Sequence, residues 1–134
     1  MSENGMVGIV LISHSRAIAE GAADVAAQVS AGAVKVVGVG GTDDGRLGTS
    51  IEALSSAVDK VSAGAGVVVI PDLGSAVLTA KAYLADGDPA HSDVVIADAP
   101  FVEGAVAAAV TASAGATLDE VLAAAEGARD VRKL

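Results

Sequence analysis

Four short apolar runs punctuate the chain: Val7 to Ile12, Val34 to Val39, Gly66 to Ile70 and Asp93 to Ala97. Each is rich in Val and Ile and nearly continuous rather than alternating, the pattern of a strand buried on both faces of a parallel sheet. Helical patterns alternate with them over about Ser15 to Ser30, Gly48 to Ser62, Ser75 to Ala85 and Phe101 to Ala114, and a fifth, about Leu118 to Ala128, closes the chain. Strand alternating with helix predicts right-handed βαβ units and an α/β fold, a three-layer α/β/α sandwich with a mainly parallel central sheet of four or five strands. Thr117 followed by Glu120 is a capping-box pattern. Gly32, Gly64, Gly115 and Gly127 sit just past helical runs, where a left-handed C-cap favours glycine. Residues 1–5 and 130–134 read as tails, leaving residues 6–129 as a single domain.

Composition narrows the classes. Apolar residues make up 52% of the chain, with one Phe, one Tyr and no Trp, so burial comes from many small side chains fitted closely together. A surface that stacks bases on aromatic rings is not expected. The net charge of −9 argues against nucleic acid or an anionic membrane as partner, since both call for a basic patch. The absence of cysteine removes disulfides, zinc–thiolate sites and thiol nucleophiles, and fits a cytoplasmic location. Met1-Ser2-Glu3-Asn4-Gly5 has no basic region, so no signal peptide is expected. No apolar stretch reaches the roughly 20 residues that span a bilayer.

In a parallel sheet the loops after the strands share one edge, where ligands bind. Here they are Ser13-His14-Ser15-Arg16, the loop from Gly40 to Gly45, Pro71-Asp72-Leu73-Gly74-Ser75, and Asp98 to Gly104. His14 follows a buried strand directly and precedes a helix, a position suited to chemistry. The ordinary imidazole pKa of about 6.5 permits a neutral, nucleophilic ring near pH 7. Such a ring needs an acceptor that fixes its tautomer, and Asp72 at the third strand end is the natural holder, as in the orienting Asp of a hydrolase triad. Transferred negative charge needs donors, for which Ser15, Gly41, Thr42, Gly74 and Ser75 are candidates at loops and helix starts. Arg16 and Arg46 are the arginines near this edge and can screen charge. Plainer roles compete. Asp72 and Ser75 read equally as helix caps, Asp43-Asp44-Gly45 as a solvated turn, and His91 as a surface residue. Asp98 and Glu103 sit where they would crowd the site.

These segments carry a resemblance. Val10-Leu11-Ile12-Ser13-His14-Ser15, Gly41-Thr42-Asp43-Asp44, Leu47-Gly48-Thr49, Pro71-Asp72-Leu73-Gly74-Ser75-Ala76 and Ala99-Pro100-Phe101-Val102-Glu103-Gly104-Ala105 occur in order. From about Met6 to Ala128 the chain resembles the phosphotransfer subunits of phosphoenolpyruvate-dependent dihydroxyacetone kinases, which are similar in fold to mannose-family enzyme IIA. The resemblance implies a phosphotransferase subunit in which Nε2 of His14 accepts a phosphoryl group from the phosphocarrier HPr while Asp72 holds the other nitrogen. The group then passes to ADP on a nucleotide-binding kinase subunit, which phosphorylates dihydroxyacetone (glycerone), a step of glycerol metabolism. It also implies a homodimer, no cofactor and no metal. The chain has no phosphate-cradling Gly-x-x-x-x-Gly-Lys-Ser/Thr motif, as a relay that binds no nucleotide itself would not need one. The competing readings are an enzyme IIA for mannose-type sugar uptake, a non-catalytic ligand-binding module, and a receiver-type domain phosphorylated on Asp72. The last lacks an acidic pair for Mg²⁺ at the first strand end.

Overall fold

All four apolar runs form strands, and each is followed by a helix. The computed structural model describes residues 5–42, 48–86 and 93–134. In chain order these hold β1 (Gly8–Ser13), α1 (Arg16–Val29), β2 (Val36–Gly40), α2 (Ile51–Val61), β3 (Val67–Pro71), α3 (Ser75–Ala85), β4 (Val94–Ile96), α4 (Phe101–Ser113) and α5 (Leu118–Gly127). The sheet is parallel throughout, with spatial order β2-β1-β3-β4. The chain moves outward from β1 to β2 on one side and from β3 to β4 on the other. The direction of winding therefore reverses between β1 and β3, the crevice where open α/β sheets take their ligands. Register makes the strand ends level there: Ile12 pairs with Pro71, and Ser13 with Gly40.

Alternation of side chains across the strands separates two apolar layers. Val7, Ile9 and Leu11 of the β1 segment and Val68 and Ile70 of β3 pack with the alanine faces of α1 and α4 and with Val121 of α5. Val10, Ile12, Val67 and Val69 face the other way, onto Leu54 and Val58 of α2 and Ala76 and Ala80 of α3. Small side chains let the helices lie close. A Cβ on Gly38 would stand 2.3 Å from the Ala19 carbonyl oxygen, and one on Gly40 would stand 2.6 Å from that of Ser15. The start of α1 therefore rests directly on β2.

Element boundaries differ from expectation in places where pairing decides them. β2 begins at Val36 rather than Val34 and runs on to Gly40, because the ladder with β1 spans Ile9 to Ser13. β4 covers only Val94–Ile96, since β3 offers it three register partners, Val67 to Val69. The capping box at Thr117 forms, its hydroxyl accepting from Glu120 N at 3.2 Å and the Glu120 carboxylate from Thr117 N at 2.9 Å. Gly127 departs from the expected left-handed cap. Its φ is −69° because α5 runs straight into a 3₁₀ turn at Ala128–Asp130.

Two glycine substitutions test the close packing of α1 on β2. Gly38→Ala is expected to lower stability by ~1–3 kcal/mol, the cost of overpacking against backbone that cannot move aside. Gly21→Ala, on the exposed face of α1 with open space around it, is expected to raise stability by ~0.5–1 kcal/mol. Urea midpoints measure both; a neutral Gly38→Ala would contradict the contact.

Candidate functional site

β1 ends at Ser13 and α1 begins at Arg16, so His14 occupies a two-residue turn. Ser15 is the N-cap of α1, its hydroxyl accepting from Ile18 N at 3.3 Å. Beside it, β3 gains one more ladder bond past Pro71: Asp72 N donates to the Ile12 carbonyl at 3.0 Å. That bond delivers the Asp72 carboxylate to the His14 turn.

Four donors meet this carboxylate. Oδ2 accepts from Ser13 Oγ at 2.7 Å and from His14 N at 3.2 Å. Oδ1 accepts from His14 Nδ1 at 3.1 Å and from Leu73 N at 2.6 Å. Burial alone would push the Asp72 carboxyl up. The hydrogen bonds from Ser13, from the Leu73 and His14 backbone and from the imidazole outweigh it, and hold the group below its ordinary value. An ionised carboxylate only accepts, so Nδ1 carries the ring proton and Nε2 keeps its lone pair. Ser75 Oγ donates to that lone pair from 2.7 Å. The His14 side chain is 27% exposed and that of Asp72 is 12% exposed, so an incoming group can reach the ring while the carboxylate stays screened.

Gly74 opens α3 with φ +48° and no side-chain cap. A Cβ there would lie 3.7 Å from both Nε2 and Cε1 of His14. The helix start, with its positive dipole end, is thus against the nucleophilic edge of the ring.

Other expected site residues have different employment. The Gly41 N–H donates to the His14 carbonyl at 3.1 Å, as does Gly48 N at 3.0 Å, so Gly41 fixes the turn and has no N–H left for phosphate. Ser15 N donates to Ser13 Oγ at 3.0 Å, leaving the Ser15 hydroxyl proton as its one free donor. Thr42 lines an adjoining cleft of about 500 Å³ with Thr49, Ser50, Glu52 and Thr79. Asp98 pairs with Arg129 at 3.2 Å and Glu103 with Lys133 at 2.8 Å, so both carboxylates are held toward the C-terminal segment rather than crowding the ring. Arg16 is exposed on the first turn of α1. Asp43, Asp44, Gly45, Arg46 and His91 lie outside the described residues. No three His, Asp or Glu side chains converge as a metal site among the described residues. None of the described helices is long and apolar enough to cross a membrane.

Ser13 belongs to the site although the sequence pattern does not single it out. It is fully buried, and its hydroxyl both donates to Asp72 and accepts from Ser15 N. The available signal was a serine ending a strand buried on both faces, where a hydroxyl must find a partner.

Comparison with known proteins places this geometry in a family context. Residues 8–122 match the EIIA-man family model, described as PTS system fructose IIA component. The chain is 34% identical over 119 residues to the phosphoryl donor subunit DhaM of PEP-dependent dihydroxyacetone kinase 2 from Listeria innocua, covering 87% of this chain and 94% of that protein. It is 33% identical to the DhaM subunit of Providencia stuartii, covering 96% of this chain and 28% of that protein. Against Escherichia coli DhaM the identity is 35%, over 87% of this chain and 26% of that protein. The chain thus spans nearly all of the Listeria relative and about a quarter of the other two. Among solved structures, the unknown-function protein EF1359 superposes with a TM-score of 0.82 at 31% identity, covering 91% of this chain and 94% of that one. A sigma-54 interaction domain protein from Enterococcus faecalis shares the fold alone, at a TM-score of 0.66 and 15% identity, over 88% of this chain and 86% of that one.

A carboxyl held below its ordinary value stabilises the fold at pH above that value, 3.8, and the contribution is lost as pH falls through the folded-state value. Ser13→Ala removes one of the four donors. It is expected to move the Asp72 titration upward and to cost ~1–3 kcal/mol at pH 7, the gap to the wild type narrowing below pH 3.8. Carboxyl ¹³C titration and urea unfolding at pH 7 and 3 measure these. An unmoved Asp72 titration would contradict the role given to Ser13.

Proposed function

The chain belongs to the EIIA-man family of PTS IIA components, and on that footing we propose that it is the phosphoryl-relay subunit of a phosphoenolpyruvate-dependent dihydroxyacetone kinase. In this reading it is a phosphoenolpyruvate–glycerone phosphotransferase subunit working through phosphohistidine at His14. The observation that carries the reading is the opposite treatment of the two ring nitrogens: Nδ1 is tied to a carboxylate at 3.1 Å, while Nε2 meets the Ser75 hydroxyl at 2.7 Å.

The chemistry follows from that asymmetry. Ser75 Oγ swings off Nε2 as the donor docks. The Nε2 lone pair attacks the phosphorus of phospho-HPr, the Nε2–P bond forming as the donor's N–P bond breaks and the donor nitrogen keeps its electron pair. The ring becomes cationic because Nδ1 keeps its proton, and Asp72 stabilises that charge without taking the proton. Ser75 and the uncapped start of α3 donate to the phosphoryl oxygens, as preorganised donors do for developing charge. In the second half-reaction a β-phosphate oxygen of ADP on the nucleotide-binding subunit attacks the same phosphorus, and Nε2 leaves with its lone pair restored. The histidine neither gains nor loses a proton overall, so the relay needs no separate acid or base. Gly74 has a further use here, since a side chain at that position would stand in the docking path. The homodimer and the cytoplasmic setting are carried over from the family resemblance as parts of this proposal. The relatives described above are all phosphoryl donor subunits of dihydroxyacetone kinases, which favours this acceptor over a sugar.

Phosphoenolpyruvate, enzyme I and HPr are expected to label His14 on Nε2, with no label in His14→Ala. The label should discharge to an ADP-loaded kinase subunit. Asp72→Asn is expected to slow labelling by roughly 100-fold or more, the scale of losing a partner that orients a reacting imidazole. Phosphopeptide mapping and quenched-flow labelling report both. Label on an aspartate, or none, contradicts the relay; label on His14 without discharge contradicts the dihydroxyacetone assignment.

A further inference from the structure

Thr49 and Thr79 make no hydrogen bond to the His14 ring or the Asp72 carboxylate, yet their hydroxyl oxygens lie 2.6 Å apart. Thr49 Oγ1 also points at the Ser75 carbonyl from 3.5 Å. The first distance is that of a short hydroxyl pair and the second is at the outer limit of a hydrogen bond, so the threonine–threonine bond carries the link. Both ends of it lead back to His14. Thr49 follows Gly48, whose N–H holds the His14 carbonyl at 3.0 Å. Thr79 stands four residues, one helical turn, beyond Ser75 in α3, and Ser75 Oγ meets Nε2 at 2.7 Å. One closed circuit therefore joins the histidine's backbone to its own ring through two loops and a helix.

Packing does not account for this bond. α2 is fixed by Leu54, Ala57, Val58 and Val61, and α3 by Ala76, Ala80 and Tyr83, all buried. Both threonines are half-buried at the seam between the two helices. Ala76 anchors one side of the first turn of α3, but that turn begins at a glycine with positive φ and no side-chain cap, and Ser75 beside it is only half-buried.

We infer that Thr49 and Thr79 are positioning residues that brace this turn, holding Ser75 and the helix start where the phosphoryl group on Nε2 will need donors. The inference rests on the relay reading for its purpose, but the brace itself is visible without any phosphate. In unphosphorylated protein, Thr49→Val and Thr79→Val are each expected to shift the His14 Nε2 ¹⁵N resonance toward that of Ser75→Ala, with Nδ1 unmoved. Thr49→Ser keeps the hydroxyl and is expected to retain the wild-type resonance. Either valine variant breaks the bond, so one that folds, as judged by cooperative urea unfolding, suffices. Single-turnover labelling by phospho-HPr is expected to slow by roughly tenfold, within the range for loss of an outer positioning bond, with its dependence on HPr concentration unchanged. An Nε2 resonance unmoved in the valine variants overturns the brace. A wild-type protein that takes no phosphate on His14 overturns the relay instead, and the resonance still decides the brace.

Discussion

Four hydrogen-bond donors converge on the Asp72 carboxylate, and two of them belong to His14, its backbone N–H and its Nδ1–H. That convergence sets the tautomer of the ring, its orientation, and the path of the chain between β1 and α1. It exists only because β1 and β3 are neighbours with Ile12 opposite Pro71. A sheet winding in one direction would have put another strand between them. The reversal of winding between β1 and β3 is thus what turns two distant residues, 58 positions apart, into one chemical unit. Ser13 completes it with a hydrogen bond that, together with those from Leu73 and His14, holds the Asp72 carboxyl below its ordinary value against the opposing effect of burial.

The alanine-rich, nearly aromatic-free core serves the same end. Glycines in β2 let α1 start directly over the strand, and alanines on α3 and α4 let these helices lie close to the sheet. Both helices flanking the ring can therefore bring their starts to it. Local donors matter in a chain with a net charge of −9, because its overall field repels a phosphoryl anion. Solvent ions screen that field beyond about 8–10 Å, whereas a hydroxyl and a helix start in contact with the group act undiminished. Specific donors rather than bulk charge must favour the transfer.

The sheet, the helices and the His14–Asp72 pair were legible in the sequence because each rests on a local signal. Val- and Ile-rich runs mark doubly buried strands, and loops that follow parallel strands share an edge whatever their separation in the chain. The rest depends on which elements end up as neighbours. Gly41 looks like a phosphate donor until the turn is built and its N–H is found on the His14 carbonyl. The use of Ser13 depends on which strand lies alongside. Thr49 and Thr79 meet only because α2 and α3 pack on the same face. The length of β4 follows from its partner's register rather than from its own apolar residues. These are tertiary facts, and local pattern does not encode them.

The central claim is that Asp72 reserves Nε2 for chemistry by holding the proton on Nδ1. Long-range ¹H–¹⁵N correlation of the His14 ring, at a pH where the ring is neutral, tests it directly. The account predicts a protonated, pyrrole-type Nδ1 and an unprotonated, pyridine-type Nε2, with the pattern mixing or inverting in Asp72→Asn. A wild-type ring protonated on Nε2 would contradict it, because the nitrogen offered to the partner would then have no lone pair to attack with.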